Sequence, residues 1–362
     1  MLVRQALLAG IAALVSGSLQ AEDQAAGLQA EIENWAQSRA FNGVILFDGD
    51  QDVRYVHGTA DPETDRPLTM DTRFQTGSVE KYFAAITVFA LVEQGVLDLD
   101  APISDYLPDY RADTGSAVTL RDLLTNRSGL PNDMVNAFRR IASGEAERVD
   151  AMSSTQAVTE FASGDLNQVP GEVFDYVLVN WLLVQHVVER ASGMSYPEAR
   201  QDFVFTRAGM SQSGGYIHDL GSTEPHVLDV AIGFDPADAN GQGDYWTPQW
   251  FKGSYTTARD LQRLERALDD GDVLNPDSLG EFRSVQVPDS RYAYGGRFST
   301  WELCGEQFTV STQAGSNGAS NMISAYLPAR RIGAAMTTNV DTSQGQMFEF
   351  AHRLFEIELG CG

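Results

Sequence analysis

Positive charge is scarce in this chain. Its 362 residues hold 25 Lys and Arg against 50 Asp and Glu, a formal net charge of −25. Nucleic acid and anionic membranes are bound through clustered cations, so this balance argues against both as partners. The acidic residues are scattered rather than blocked, and they read as a solvated surface. Histidine is also sparse. His57, His186, His218, His226 and His352 show no metal-ligand spacing, so neither a metal site nor a cofactor is expected. Long apolar runs are missing too. The longest, Val177 to Val188, is interrupted by Asn180 and Gln185, which predicts a buried core helix rather than a membrane span.

Residues 1–21 read as a secretory signal. Arg4 supplies a positive n-region, Ala6 to Leu19 an apolar segment too short to span a bilayer comfortably, and Leu19-Gln20-Ala21 a cleavage site before Glu22. The expected location is periplasmic or secreted, with no stable membrane anchor once the signal is removed. There are only two cysteines, Cys304 and Cys361. In an exported protein an even pair suggests one disulfide, here pinning the C-terminal tail to a predicted strand; two unpaired thiols are the alternative.

The stretch Phe74 to Gly95 carries the chemistry. Gly77 offers a flexible entry and Ser78 sits where a helix begins. Tyr82, Ala85, Phe89 and Val92 recur at helical spacing, predicting an amphipathic helix that Gly95 closes. Ser78 and Lys81, three apart, share one helix face. A serine at a helix N-terminus beside an amine has a nucleophile, a base and free backbone N–H groups for an oxyanion. The same tetrapeptide also occurs by chance, with serine as a common N-cap and lysine as a solvated charge.

Ala26 to Arg39 is helical by periodicity. Val44–Phe47 and Val53–Val56 form a hairpin about the turn 48–52. Thr119 caps a short helix that ends in the turn 126–131. Helices follow at Ser154–Ser163, Val177–Ala191, Tyr196–Val204 and Ala258–Leu268, the last with Thr257 as N-cap. Residues 212–252 read as surface loops. Strands return at Tyr294–Leu303, Gln307–Gln313, Met322–Leu327 and Ile332–Thr338, and Gln346–Leu359 closes as a helix. Strands at both ends with helices between predict an α+β fold. An antiparallel sheet is flanked by the first and last helices, and a helical lobe is inserted between its halves. The sheet lobe would comprise residues 22–95 and 262–362, the helical lobe residues 96–261.

Several ordered segments resemble class C β-lactamase-like serine hydrolases, within the β-lactamase and penicillin-binding protein superfamily. They are Thr72 to Lys81, Leu91 to Asp100, Asp105 to Pro108, Leu123 to Pro131, Pro170-Gly171 with Phe174 to Tyr176, Gly253 to Leu261, and Gln313 to Gly315. The resemblance covers almost all of the chain after the signal. It implies the β-lactamase/transpeptidase-like fold, with the active site between the two lobes. It implies Ser78 as the acylated serine, Lys81 as its partner, and Tyr176 as the proton carrier opening the second motif. A neighbouring ammonium such as Lys81 favours the phenolate that this last role needs. The backbone N–H groups of Ser78 and Ser316 would form the oxyanion hole.

The second motif departs from the family's Tyr-x-Asn, because Leu178 stands where the Asn belongs. Asn180, four residues after Tyr176, occupies a different family position. The third motif usually opens with Lys or His and here reads Gln313-Ala314-Gly315. Gln313, Gly315 and Leu178 are the expected substrate-binding positions. Losing a charged contact to a substrate carboxylate costs roughly 1.5–3 kcal/mol, which counts against β-lactams more than against hydrolysis in general. The expected function is therefore an exported serine hydrolase of esterase or amidase type, acting on a small-molecule or short-peptide ester or amide. A D-alanyl peptidase or β-lactamase is the first alternative. A catalytically lapsed binding protein of the same fold is the second.

Overall fold

The computed structural model describes residues 24–49, 52–216, 229–238, 243 and 248–361. The expected signal, 1–21, and parts of the 212–252 segment lie outside the described residues. Eleven strands are named in chain order: β1 Gly43–Asp48, β2 Val53–His57, β3 Thr59–Asp61, β4 Arg66–Pro67, β5 Phe74–Gln75, β6 Gly214–Tyr216, β7 Gly253–Thr256, β8 Arg297–Leu303, β9 Glu306–Asn317, β10 Ser320–Leu327 and β11 Ile332–Thr338. Six of them make the main sheet in the order β2-β1-β11-β10-β9-β8. Each neighbouring pair is antiparallel. The early hairpin thus joins the late strands, as the strand order along the sequence predicts.

The sheet is covered on both faces, and strand alternation sorts its side chains between two cores. Ile45 and Phe47 of β1 join the cluster beneath the helices 24–38 and Gln344–Glu358. Val44 and Leu46 face the larger, central cluster. That core is built around the helix Glu80–Glu93, and here the structure corrects the sequence expectation. The helix is not amphipathic: every residue from Glu80 to Leu91 is buried. A helix apolar nearly all round has no solvent face to spend and belongs in the middle of a protein. Its far end closes as expected near Gly95, where φ is +70°. Gly95 N–H donates to Val92 O and Val96 N–H to Leu91 O, a Schellman arrangement.

Local signals fix other element ends. Thr119 and Asp122 form a reciprocal capping box at the helix Leu120–Leu124. The Thr257 hydroxyl caps Ala258–Asp270 through Asp260 N–H. This helix packs as one unit on β1, β10 and β11, so the expected lobe boundary between 261 and 262 falls inside it. The helix Pro276–Phe282 was not anticipated, although Asn275 caps it through two N–H groups and Pro276 occupies its first position. Within the expected surface loops, Gly214–Tyr216 is a strand paired with β7.

Cys304 lies in the tight turn between β8 and β9 and is bonded to Cys361, 57 positions on in sequence, with Cα atoms 5.5 Å apart. Beneath β9, the carboxyl of Glu265 is buried against Ser311, whose hydroxyl donates to it at 2.7 Å. The Arg283 guanidinium stands 3.8 Å away. Burial is the larger influence and pushes the Glu265 carboxyl up to about 6.

Two stability outcomes follow. A carboxyl whose pKa is raised on folding stabilises the fold most below its unfolded value and loses that contribution as pH rises through 6. Relative to Glu265→Gln, the wild type should lose about 2 kcal/mol of unfolding free energy between pH 4 and pH 7; parallel urea-unfolding profiles would contradict this. Closing a loop of that length corresponds to about 4 kcal/mol of chain entropy as an upper bound. The Cys304→Ala/Cys361→Ala protein should therefore unfold at clearly lower denaturant, and an unmoved midpoint would show the bond to be idle.

Candidate active site

Ser78 is the middle residue of a single 3-10 turn, Gly77–Val79, that runs directly into the helix Glu80–Glu93. The turn is closed by Val79 N–H donating to Thr76 O at 3.0 Å. Ser78 is not an N-cap, since Val79 takes that position and no side chain caps it. The hydroxyl is left for chemistry. Lys81, one helical turn on, is only 5% exposed and brings its Nζ to 3.0 Å from Ser78 Oγ. The Ser78–Lys81 pair expected from spacing is thus formed.

The backbone around Ser78 is pressed against β9. Gly77 has φ of +49°. A Cβ there would fall 2.4 Å from Ser316 O, and a Cβ on Gly315 would fall 1.9 Å from Thr76 O. Only glycine allows both approaches. They bring the turn that carries Ser78 alongside Ser316, which is exposed. The two N–H groups expected to hold an oxyanion therefore belong to segments in direct backbone contact.

Tyr176 reaches the site on an extended segment of the helical lobe. Asp175, Gly171 and Asn167 donate backbone N–H bonds of 2.8 Å to Asn126, Arg127 and Gly129 respectively, so this segment is laced to the turn 126–131. Lys81 Nζ lies 5.0 Å from the Tyr176 ring centroid. It meets the ring face, and the Tyr176 hydroxyl makes no hydrogen bond with Ser78 or Lys81 among the described residues. Leu178 precedes the helix Val179–Ser192 and packs, half-buried, on the central core. Asn180 is spent internally: it accepts from Ser128 Oγ at 2.6 Å and donates to Asn126 Oδ1 at 3.1 Å.

Gln313 departs from its expected role. It is 3% exposed, and both ends of its carboxamide are used inside the protein. Nε2 donates to Arg297 O at 3.2 Å and to Ser311 Oγ at 3.0 Å, while Oε1 accepts from Arg297 N–H at 3.3 Å. The residue it holds, Arg297, faces the site. That guanidinium lies 5.9 Å from the Tyr176 ring centroid and 5.3 Å from that of Tyr292. It has no carboxylate partner among the described residues. Tyr292 packs edge-on to Tyr176, and burial, then the neighbouring Tyr176, hold its phenol well above the ordinary range.

Sequence reasoning also missed a buried cluster under Ser78. Glu80 accepts from Arg200 Nη1 at 2.6 Å, from the Tyr196 hydroxyl and from Ser254 Oγ. Burial works against the Arg200 charge, yet Glu80 and then Tyr196 together hold the guanidinium above its usual value. Burial and then the Glu80 charge push the Tyr196 phenol well up. The sequence signal available was a carboxylate in the first turn of a largely apolar helix.

The beta-lactamase family profile matches residues 27–357. Esterase EstB from Burkholderia gladioli is 29% identical over 297 residues, covering 73% of this chain and 75% of that protein. Penicillin-binding protein 4* from Bacillus subtilis is 30% identical over 193 residues, covering 52% of this chain and 41% of that longer protein. Among solved structures, a penicillin-binding protein from Bacillus halodurans superposes with a TM-score of 0.75 at 24% identity, covering 91% of this chain and 99% of its own. D-amino acid amidase from Ochrobactrum anthropi superposes with a TM-score of 0.72 at 21% identity, covering 92% and 98%. With the profile spanning most of its length, the chain belongs to the beta-lactamase family of serine hydrolases.

Proposed function

We propose that this protein is an exported hydrolase that cleaves a small ester or amide through an acyl-enzyme on Ser78. The observation that carries the reading is the 3.0 Å contact between Lys81 Nζ and Ser78 Oγ beside the backbone of Ser316. Attack forms the Oγ–acyl bond, and the Ser78 proton passes to Lys81 Nζ. Breaking the acyl–leaving-group bond then returns that proton to the leaving group. Water next attacks the ester, giving its proton back to Ser78 as the acid is released. Tyr176, with its face against Lys81, completes the proton path once its hydroxyl turns toward Ser78. The esterase and amidase relatives support the substrate class. The Cys304–Cys361 bond suits an oxidising compartment and supports export.

A second reading, hydrolysis of D-alanyl peptides, is favoured by Arg297. Gln313 cannot offer a charge to a substrate carboxylate, but the unpaired guanidinium beside Tyr176 can.

Turnover of a chromogenic short-chain ester should be lost in Ser78→Ala, and intact mass should show an acyl adduct on the wild type alone. No turnover and no adduct with ester, cephalosporin or D-alanyl-D-alanine peptide would instead mark a lapsed enzyme. Arg297→Glu separates the two substrate readings. A drop of about tenfold or more in kcat/KM for the D-peptide, with the neutral ester within a fewfold, supports the second; equal effects on both would remove Arg297 from recognition.

A further inference from the structure

Glu80 stands between the nucleophile and its base, and the acyl-enzyme chemistry gives it no task. It is nonetheless buried, at 7% exposure, with three polar partners from two distant segments. Replacing a buried ion pair by well-packed apolar groups is often neutral or stabilising. A carboxylate held this way is therefore poorly explained by stability alone. Its connections point elsewhere. Ser254, which donates to Glu80, also binds Thr76. Ser254 O accepts from Thr76 N–H and from Thr76 Oγ1, each at 3.0 Å, and the two hydroxyls are 2.7 Å apart. Arg200, the second partner, donates to Gly253 O at 3.1 Å. The carboxylate thus fastens the first turn of the nucleophile helix to β7, and β7 fastens Thr76. Thr76 O is the atom that meets Gly315, and the next residue, Gly77, meets Ser316.

Resting on the Ser78 acyl-enzyme reading, we propose that Glu80 is a positioning residue. Through Ser254 and Thr76, it sets the separation between the Ser78 and Ser316 N–H groups and so the fit of the oxyanion hole. The helix end, β7 and β9 form a closed loop of contacts, with the Glu80–Arg200 pair as its charged link. Loosening that link lets the Gly77–Ser78 turn shift relative to Ser316, while the Ser78 and Lys81 side chains and the substrate-facing surface stay chemically unchanged. Displacements of about 1 Å in such a site cost on the order of 100-fold in rate. The loss falls on the transition state, where the oxyanion develops, rather than on substrate binding.

The test compares wild type, Glu80→Gln, Ser254→Ala and Ser78→Ala on a chromogenic ester, with melting curves confirming that each is folded at the assay temperature. Glu80→Gln is expected to lower kcat roughly 10- to 100-fold with KM within about threefold. Ser254→Ala keeps the Glu80–Arg200 pair and the Thr76 bonds to the carbonyl of residue 254 but removes the hydroxyl that joins Glu80 to Thr76, and should show the same split to a lesser degree. Folded variants with kcat within twofold of wild type would overturn the proposal, as would losses carried by KM. If Ser78→Ala is inert, unchanged kinetics in Glu80→Gln count against Glu80 alone. An active Ser78→Ala protein overturns the acyl-enzyme reading and this one together.

Discussion

Two backbones lie against each other beside Ser78 with no side chain between them. Gly315 of β9 faces the Thr76 carbonyl, and Gly77 faces Ser316. This contact governs the site because neither partner can move alone. β9 is held between β8 and β10. The turn at Gly77 leads into a helix that is buried from Glu80 to Leu91. In an interior packed to crystal-like density, a shift at either end must be accommodated by the whole core. The geometry of Ser78 is therefore inherited from the sheet and the central helix together. Sheet and helix come from opposite ends of the sequence and can meet only when the chain has folded across them.

The parts of this arrangement legible in the sequence are those with local causes. The capping residues Thr119 and Thr257 mark helix starts, and the unbroken apolar run Val44–Phe47 marks a strand with two covered faces. Ser78 and Lys81 meet because three residues on a helix make nearly one turn. What the sequence hid depends on partners far away. Glu80 is 120 residues from Arg200 and 174 from Ser254, and no spacing rule links them. The helix looked amphipathic because its small and polar residues, such as Ala84 and Thr87, mimic a solvent face. Both are buried, and Thr87 satisfies its hydroxyl on Phe83 O at 2.9 Å. Gln313 was misjudged for a similar reason. A strand's residue types do not say which face meets solvent until its register is set.

Two buried carboxylates flank the site, and their different surroundings set different behaviour. Glu80 has Arg200 at 2.6 Å and two hydroxyl donors, so its charge is matched where it sits. Glu265 has its guanidinium at 3.8 Å, and burial dominates, raising its carboxyl to about 6. Attraction between charges falls with separation while the desolvation cost does not. The first is suited to holding a fixed geometry under the nucleophile. The second is a weaker anchor, linked through Ser311 to Gln313.

That link changes the meaning of the altered third motif. Gln313 is not an exposed recognition residue that has merely lost its charge. Its carboxamide satisfies both backbone groups of Arg297 and joins the chain leading to Glu265. A lysine at 313 would leave Arg297 N–H without its acceptor and would place an ammonium at a position only 3% exposed. The family's usual cation therefore cannot be restored by a single exchange. In this chain β8 brings a second cation beside Tyr176, Arg297 in addition to Lys81, and the buried amide on β9 holds the Arg297 backbone.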